Sequence, residues 1–149
     1  MEKRESYHIS LKIFLKNKEG KVLVLTAISP GTFAGYHDLP GGRIDKGEFA
    51  TPLLDILKRE VEEEAGISNV NIKPLPVAVG RHLIRSEFTI EKTRDIPVFY
   101  VFYEGICDTE EAHTSEEHSA AQWLDLNEIE LEKYFTSGIL EGAKMYLGK

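Results

Sequence analysis

Cysteine is nearly absent: the 149 residues contain one, Cys107. That excludes an internal disulfide framework and any multi-cysteine zinc site. Long apolar runs are missing as well. The best stretch, Val22 to Ile28, falls far short of the roughly 20 residues needed to cross a bilayer. The charged start of the chain (MEKRESYH) has no apolar segment of the kind a secretion signal carries. Positive charge is in deficit, with 18 Lys and Arg against 25 Asp and Glu and a formal net charge of -7. Binding to a nucleic-acid backbone needs a basic footprint, so polymeric nucleic acid is not an expected partner, and neither is a membrane. A small anionic ligand stays open, because a bound cation reverses the local sign. No repeat, low-complexity linker or shift in composition divides the chain. With 42% hydrophobic and 29% charged residues it reads as one domain over residues 1–149, of cytoplasmic type.

Apolar and polar residues alternate from Tyr7 to Leu15, which is the period of a half-buried strand. Asn17 to Gly20 signals a turn and Lys21 to Ile28 a second strand, so the two form a hairpin. Ser29 to Gly35 reads as a loop. Thr51-Pro52 marks a helix start, with Thr51 as N-cap and Pro52 at the first helical position, and Gly66 marks its end. The helix is therefore expected over Pro52 to Ala65. Pro74 and Pro76 break the extended stretches between Val70 and Ile84. Ile96 to Cys107, rich in β-branched and aromatic residues, reads as a central strand. Asp108 to Ser119 is an acidic loop, Ala121 to Leu126 a short strand, and Asn127 to Phe135 and Ser137 to Leu147 are helices. Strands mixed with few helices, and no regular alternation of the two, give an α+β layered domain.

The chemical signal lies at the end of the first helix, Arg59-Glu60-Val61-Glu62-Glu63-Glu64-Ala65-Gly66. At about 100° per residue, Glu60, Glu63 and Glu64 share one face and Glu62 points away. Leu53, Ile56 and Leu57 occupy that sector earlier, so the face turns from apolar to triply acidic. Like charges three and four residues apart repel by a few tenths of a kcal/mol per pair, and the helix C-terminus already carries partial negative charge. A divalent cation relieves both conflicts, since clustered carboxylates are the hard oxygen ligands that magnesium prefers. A solvated acidic helix end is the plainer reading of the same residues.

The residues upstream bear on that choice. Pro40-Gly41-Gly42-Arg43-Ile44-Asp45-Lys46-Gly47-Glu48, followed by Arg59 to Ile67, resembles the Nudix box, G-x5-E-x7-R-E-U-x-E-E-x-G-U with U bulky and aliphatic. The spacing from Gly42 to Glu48 agrees, and Arg59 to Ile67 agrees at every specified position. One departure stands: ten residues separate Glu48 from Arg59, three more than the pattern. An addition inside the helix would rotate its face, so the surplus is expected around Phe49-Ala50.

The resemblance implies a Nudix-like α/β/α sandwich with a mixed β-sheet. It also implies a hydrolase that cleaves a nucleoside diphosphate linked to another moiety with magnesium or manganese. Carried onto matching positions, Glu63 and Glu64 are the principal metal ligands, Glu60 is a ligand or a base acting through water, the Gly42 carbonyl completes a metal site and Arg59 orients the carboxylates. Family members often add an acidic residue from a loop before a tryptophan strand. Ahead of Trp123 this makes Glu117 the first candidate and Glu116 the second.

Phe33, Tyr36 and His37 precede the glycines and are candidates to border the substrate, with ordinary packing as the alternative. Arg43 and Arg81 are candidate phosphate contacts, and His82 is weighed beside Arg81. Tyr100, Phe102 and Trp123 read as core, and Cys107 as a small buried hydrophobe. The family's cues for ADP-ribose and for dinucleoside polyphosphates, a proline or a tyrosine at set distances past the box, are both unmet. A nucleoside triphosphate or related nucleotide is the default substrate, taken by a monomer or homodimer. A Nudix-like domain that binds a nucleotide or a protein partner without cleaving it is the rival reading.

Overall fold

The structure is a computed structural model and describes residues 2–27, 34–109, 111–113 and 118–149. In chain order the strands are β1 (His8–Lys16), β2 (Val22–Ala27), β3 (His37–Asp38), β4 (Gly41–Arg43), β5 (Val70–Ile72), β6 (Ala78–Ile84), β7 (Ile96–Cys107) and β8 (His118–Leu124). The helices are α1 (Leu53–Ala65), α2 (Leu131–Tyr134) and α3 (Ser137–Leu147). The strands form one mixed sheet ordered β3-β2-β1-β7-β5, with β4 beside β1, β6 beside β7 and β8 beside β2. Only the β1–β7 pair is parallel among the pairings described, and it runs in unbroken register from His8–Val98 to Lys16–Ile106. β7 is central, as its composition predicts.

Burial follows the period of two. Leu11, Ile13 and Leu15 of β1 point to one face and pack with Ile56, Leu57 and Val61 of α1. Phe14 points to the other face, with Phe102, Ile139 and Ala143. Helices thus cover both faces and the layered α+β architecture holds. On the α3 side Phe14 stacks on Phe102 at 5.4 Å and on Tyr146 at 4.1 Å between ring centroids.

Four local readings need correction. The polar residues of β1 do not face water: Ser10 is 2% and Lys12 6% exposed, so the strand is buried on both faces. Thr51 does not cap α1. Pro52 holds the N-cap position without a side-chain cap, and its carbonyl accepts from the Asp55 and Ile56 amides. Asn127 to Phe135 is not one helix. The Asp125 side chain takes the Asn127 amide at 3.0 Å and its carbonyl takes Glu128 at 3.0 Å, so a turn uses the first residues and leaves the four of α2. The same turn ends β8 at Leu124, and that strand starts at His118 rather than Ala121. Most of the loop read from Ser29 to Gly35, and the core of the acidic loop, lie outside the described residues.

Helix α3 meets the sheet through a seam of glycine. A Cβ on Gly142 would collide with the fully buried Phe102 ring, and one on Gly138 would reach the Arg81 carbonyl at 2.5 Å and the Tyr100 ring at 2.6 Å. Neither obstacle can swing away, because one is backbone and the rings are packed. Gly142→Ala is therefore expected to lower stability by about 1–2 kcal/mol, overpacking exceeding the gain in helix propensity. Thermal melting checks this, with exposed Met145→Ala as the comparison; an unchanged or raised midpoint for Gly142→Ala contradicts the seam.

Candidate active site

Gly66 closes α1 in the left-handed conformation (φ 69°, ψ 18°), its amide bonded to the Glu62 carbonyl at 2.9 Å. The buried stripe Ile56, Leu57 and Val61 fixes the rotation of the helix, and that rotation decides where each acid points. Glu62 faces water. Glu60 is half-buried against β4, Glu64 is 6% exposed, and Glu63 stands at the rim with a 61% exposed side chain.

Arg59 gathers the acids. Its Nη1 lies 2.5 Å from Glu48 Oε2, its Nη2 3.1 Å from Glu60 Oε1 and its Nε 3.7 Å from Glu63 Oε1. Glu48 Oε1 also accepts the Asp45 amide at 2.8 Å. The Arg59 hydrogen bond, helped by that amide, holds the Glu48 carboxyl below the usual range. Glu60 moves the other way: burial raises its pKa, and the Arg59 hydrogen bond only partly opposes this. The ten residues between Glu48 and Arg59 are an exposed turn carrying Phe49, which is fully exposed, followed by the first turns of α1. The helix register behind Glu60, Glu63 and Glu64 is continuous.

Gly41 and Gly42 bring bare backbone into this region. A Cβ on Gly41 would strike the Leu11 carbonyl, and one on Gly42 would lie 2.5 Å from Glu60 Oε2. The space beside Gly42 is thus the space the Glu60 carboxylate uses. Gly42, Glu60 and Glu64 line a cleft of about 380 Å³ together with Asp45 and Arg43. Ser10, Lys12, Asp38, His82 and Tyr100 line it as well, Ser10 and Lys12 lying beside Arg43 and Gly41 in the β1–β4 ladder.

Lys12 brings a buried ammonium to the cleft, ion-paired with Asp38. Lys12 Nζ donates to Asp38 Oδ2 at 3.2 Å and to the Leu39 carbonyl at 3.1 Å. Burial opposes the ammonium, but Asp38 and then Glu64 outweigh it and keep Lys12 protonated. His82 bonds Ser137 Oγ through Nδ1 at 2.7 Å, and burial lowers its pKa against the pull of Asp38, so it is neutral at pH 7. Burial likewise keeps the Tyr100 phenol protonated.

Of the candidates read from sequence, Gly42, Arg43, Glu60 and Glu64 meet in the cleft, and Arg59 and Glu63 adjoin it. Arg81 is exposed and does not line it; strand alternation gives that place to His82. His37 is held elsewhere, with Nε2 2.9 Å from Gln122 Nε2 and its ring 5.2 Å from that of Tyr134, and Tyr36 is half-buried away from the lining. Phe33, Glu116 and Glu117 lie outside the described residues. Ser10, Lys12 and Asp38 are cleft residues that sequence reasoning missed; Tyr100, read as core, is buried there and also reaches the lining. The signal for Lys12 was present, a cation amid the most apolar stretch of β1, but alternation alone assigns it to solvent.

Among the described residues no three of His, Cys, Asp and Glu form a ready-made cation site. Arg59 is in ion-pair contact with both Glu60 and Glu63. The donor set still fits a hard divalent cation: carboxylates, a main-chain carbonyl at Gly42, and a glycine that leaves room for the Glu60 carboxylate.

A model of the NUDIX domain matches residues 6–141. No curated protein matches the chain. Among solved structures it is similar to the MutT protein of Methanosarcina mazei, at 22% identity and TM-score 0.65 over 97% of this chain and 93% of that one. It is also similar to an ADP-ribose pyrophosphatase of Streptococcus suis, at 19% identity and TM-score 0.62 over 96% and 91%. The NUDIX domain of Shewanella oneidensis NrtR, solved with ADP ribose, aligns at 17% identity and TM-score 0.64 over 93% and 83%. At these identities the likeness is one of fold, and the family rests on the domain match over nearly the whole chain. With that match and the acidic end of α1 set against Gly42, the chain belongs to the Nudix hydrolase family.

Proposed function

We propose that this protein is a divalent-metal-dependent pyrophosphohydrolase, acting on a nucleoside diphosphate linked to another moiety, of which a nucleoside triphosphate is the simplest case. The observation that carries the reading is the meeting of Gly42, Glu60 and Glu64 in one cleft, where a Cβ at Gly42 would have to displace the Glu60 carboxylate. The residues that would hold magnesium, or manganese in its place, are Glu60, Glu63, Glu64 and the Gly42 carbonyl. When bound, such an ion neutralises the diphosphate, stabilises the departing phosphate and makes water a stronger nucleophile.

The chain's own groups supply the rest. Arg59 orients Glu60 by a charge-assisted hydrogen bond and Glu63 by an ion pair. Glu60, the half-buried acid with the raised pKa, takes the proton of the attacking water as the P–O anhydride bond breaks. Glu117 is a second candidate for that proton or for an outer ligand. Lys12 fixes the path from Asp38 and Leu39 to the glycines and places positive charge where a phosphate oxygen arrives. Arg43, at the mouth, is the phosphate contact of the open side. Small molecules are its substrates and the cytoplasm its place. Among the described residues no helix is long and apolar enough to cross a membrane. Residues 1–149 act as one domain, as monomer or homodimer.

Glu64→Gln or Glu63→Gln is expected to lower kcat on the order of 10²–10³-fold while the melting midpoint stays close to wild type. Phosphate release from a nucleotide panel with magnesium, manganese or chelator measures it. Turnover that survives both substitutions, or survives chelator, overturns the roles assigned; nucleotide binding without metal-dependent turnover favours the non-catalytic module. Gly42→Ala is expected to cost on the order of 10²-fold in kcat by displacing the Glu60 carboxylate, and circular dichroism would show the fold intact.

A further inference from the structure

Strand β6 brings one polar side chain into the cleft, His82, and helix α3 has hold of it. Its Nδ1 lies 2.7 Å from Ser137 Oγ, on the first residue of α3. The contact depends on a close approach of helix and strand. A Cβ on Gly80 would strike the Gly138 carbonyl, and one on Gly138 would meet the Arg81 carbonyl. Glycine on both elements is what lets a short serine side chain reach the imidazole. Ser137 holds a left-handed φ of 53°, which a residue with a Cβ adopts only at a cost. Docking of α3 does not call for that cost. Glu141 Oε1 already accepts the Arg81 amide at 2.8 Å, and Ile139 and Ala143 are fully buried.

The cleft is divided by charge across the sheet. Strands β4, β1, β7 and β6 are successive neighbours, and their register sets Arg43 beside Ser10, Ser10 beside Tyr100 and Tyr100 beside Gly80. Three strand spacings, about 14 Å, therefore separate the backbone of β4 from that of β6. The β4 side carries Arg43, with Glu60 of α1 against Gly42. The paired Lys12 and Asp38 line the cleft from β1 and β3. The lining from β6 and β7 is His82, Ile84, Val98 and Tyr100. None of these four is charged at neutral pH, since burial keeps His82 neutral and the Tyr100 phenol protonated.

We infer that His82 is a specificity contact for the nucleoside moiety of the substrate, and that Ser137 is its positioning residue. This rests on the hydrolase reading of the cleft and adds the direction in which the substrate lies. Phosphates lie toward β4 and α1. The nucleoside lies over β6 and β7, against Ile84, Val98 and Tyr100, and His82 meets a polar atom of its sugar or base. Ser137, bonded to Nδ1, fixes the plane of the ring and turns Nε2 to the substrate. A nucleoside offers apolar area, hydrogen-bonding edges and little charge, which matches this lining; a phosphate does not.

The test is calorimetric binding, with magnesium, of the α,β-methylene triphosphates of adenosine, guanosine, cytidine and uridine, which resist cleavage. Inorganic tripolyphosphate, which has no nucleoside, is measured beside them. Wild type is expected to bind at least one nucleotide more tightly than tripolyphosphate. His82→Ala is expected to weaken that nucleotide roughly three- to tenfold, the size of one neutral hydrogen bond, and to leave tripolyphosphate unchanged. Ser137→Gly accepts the left-handed φ but loses the hydroxyl. It is expected to weaken the same nucleotide while its melting midpoint holds or rises, and to have no further effect in the His82→Ala background. A serine that only ties α3 to β6 would lose melting temperature and keep its affinity. The 2′-deoxy form of the tightest nucleotide assigns the contact: an unchanged His82→Ala effect places it on the base, a vanished one on the ribose. No nucleotide advantage in wild type, an affinity that His82→Ala does not move, an equal loss for tripolyphosphate, or Ser137→Gly acting without His82 overturns the inference. Hydrolysis is read separately on the natural triphosphates; the binding pattern without turnover removes the hydrolase reading and keeps the contact.

Discussion

Three carboxylates at the C-terminal end of one helix repel one another and the helix dipole, and the rest of the structure is arranged around tolerating them. Arg59 answers part of the repulsion by spanning Glu48, Glu60 and Glu63. Lys12 answers another part from β1, where its buried charge reaches Glu64. The hydrophobic stripe of α1 then has a function besides stability. By fixing the roll of the helix on β1 it keeps the acids at β4, where an uncompensated cluster would otherwise turn to water.

The site is electrically mixed. Acid gathers at Gly42, a buried ammonium paired with Asp38 lies beside it, and Arg43 lines the same cleft. The net charge of -7 describes none of these places. An anionic ligand approaching a chain of the same sign needs local reversal of the field, and Arg43, which lines the cleft, contributes to that reversal. The electrostatics that matter are set by which strand face each charge leaves from.

Much of this was legible beforehand. The period of β1, the composition of β7 and the glycine after Ala65 each fixed an element, because each rests on a local rule that packing did not override. The acids of α1 were legible because a helix converts spacing into direction. What failed depended on distant partners. Ser10 and Lys12 look like solvent positions until β3, β4 and α1 close over them. Arg81 and His82 are adjacent in sequence, and only the register of β6 on β7 says which one enters the cleft. The Asp125 turn won over the helical pattern after it, a competition between two local rules that sequence alone did not decide.

The clasp between Glu48 and Arg59 has a consequence for kinship. Both ends of the intervening segment are pinned, one by the ion pair and one by a helix whose roll the core sets, and the turn at Phe49 hangs free in water. Closing a longer loop costs entropy only as the logarithm of its length. Residues can therefore be added there over evolutionary time with little penalty and no change in where the acids point. A signature written as a fixed gap will pass over chains of this kind, whereas one written as two anchored blocks with elastic space between them will keep them.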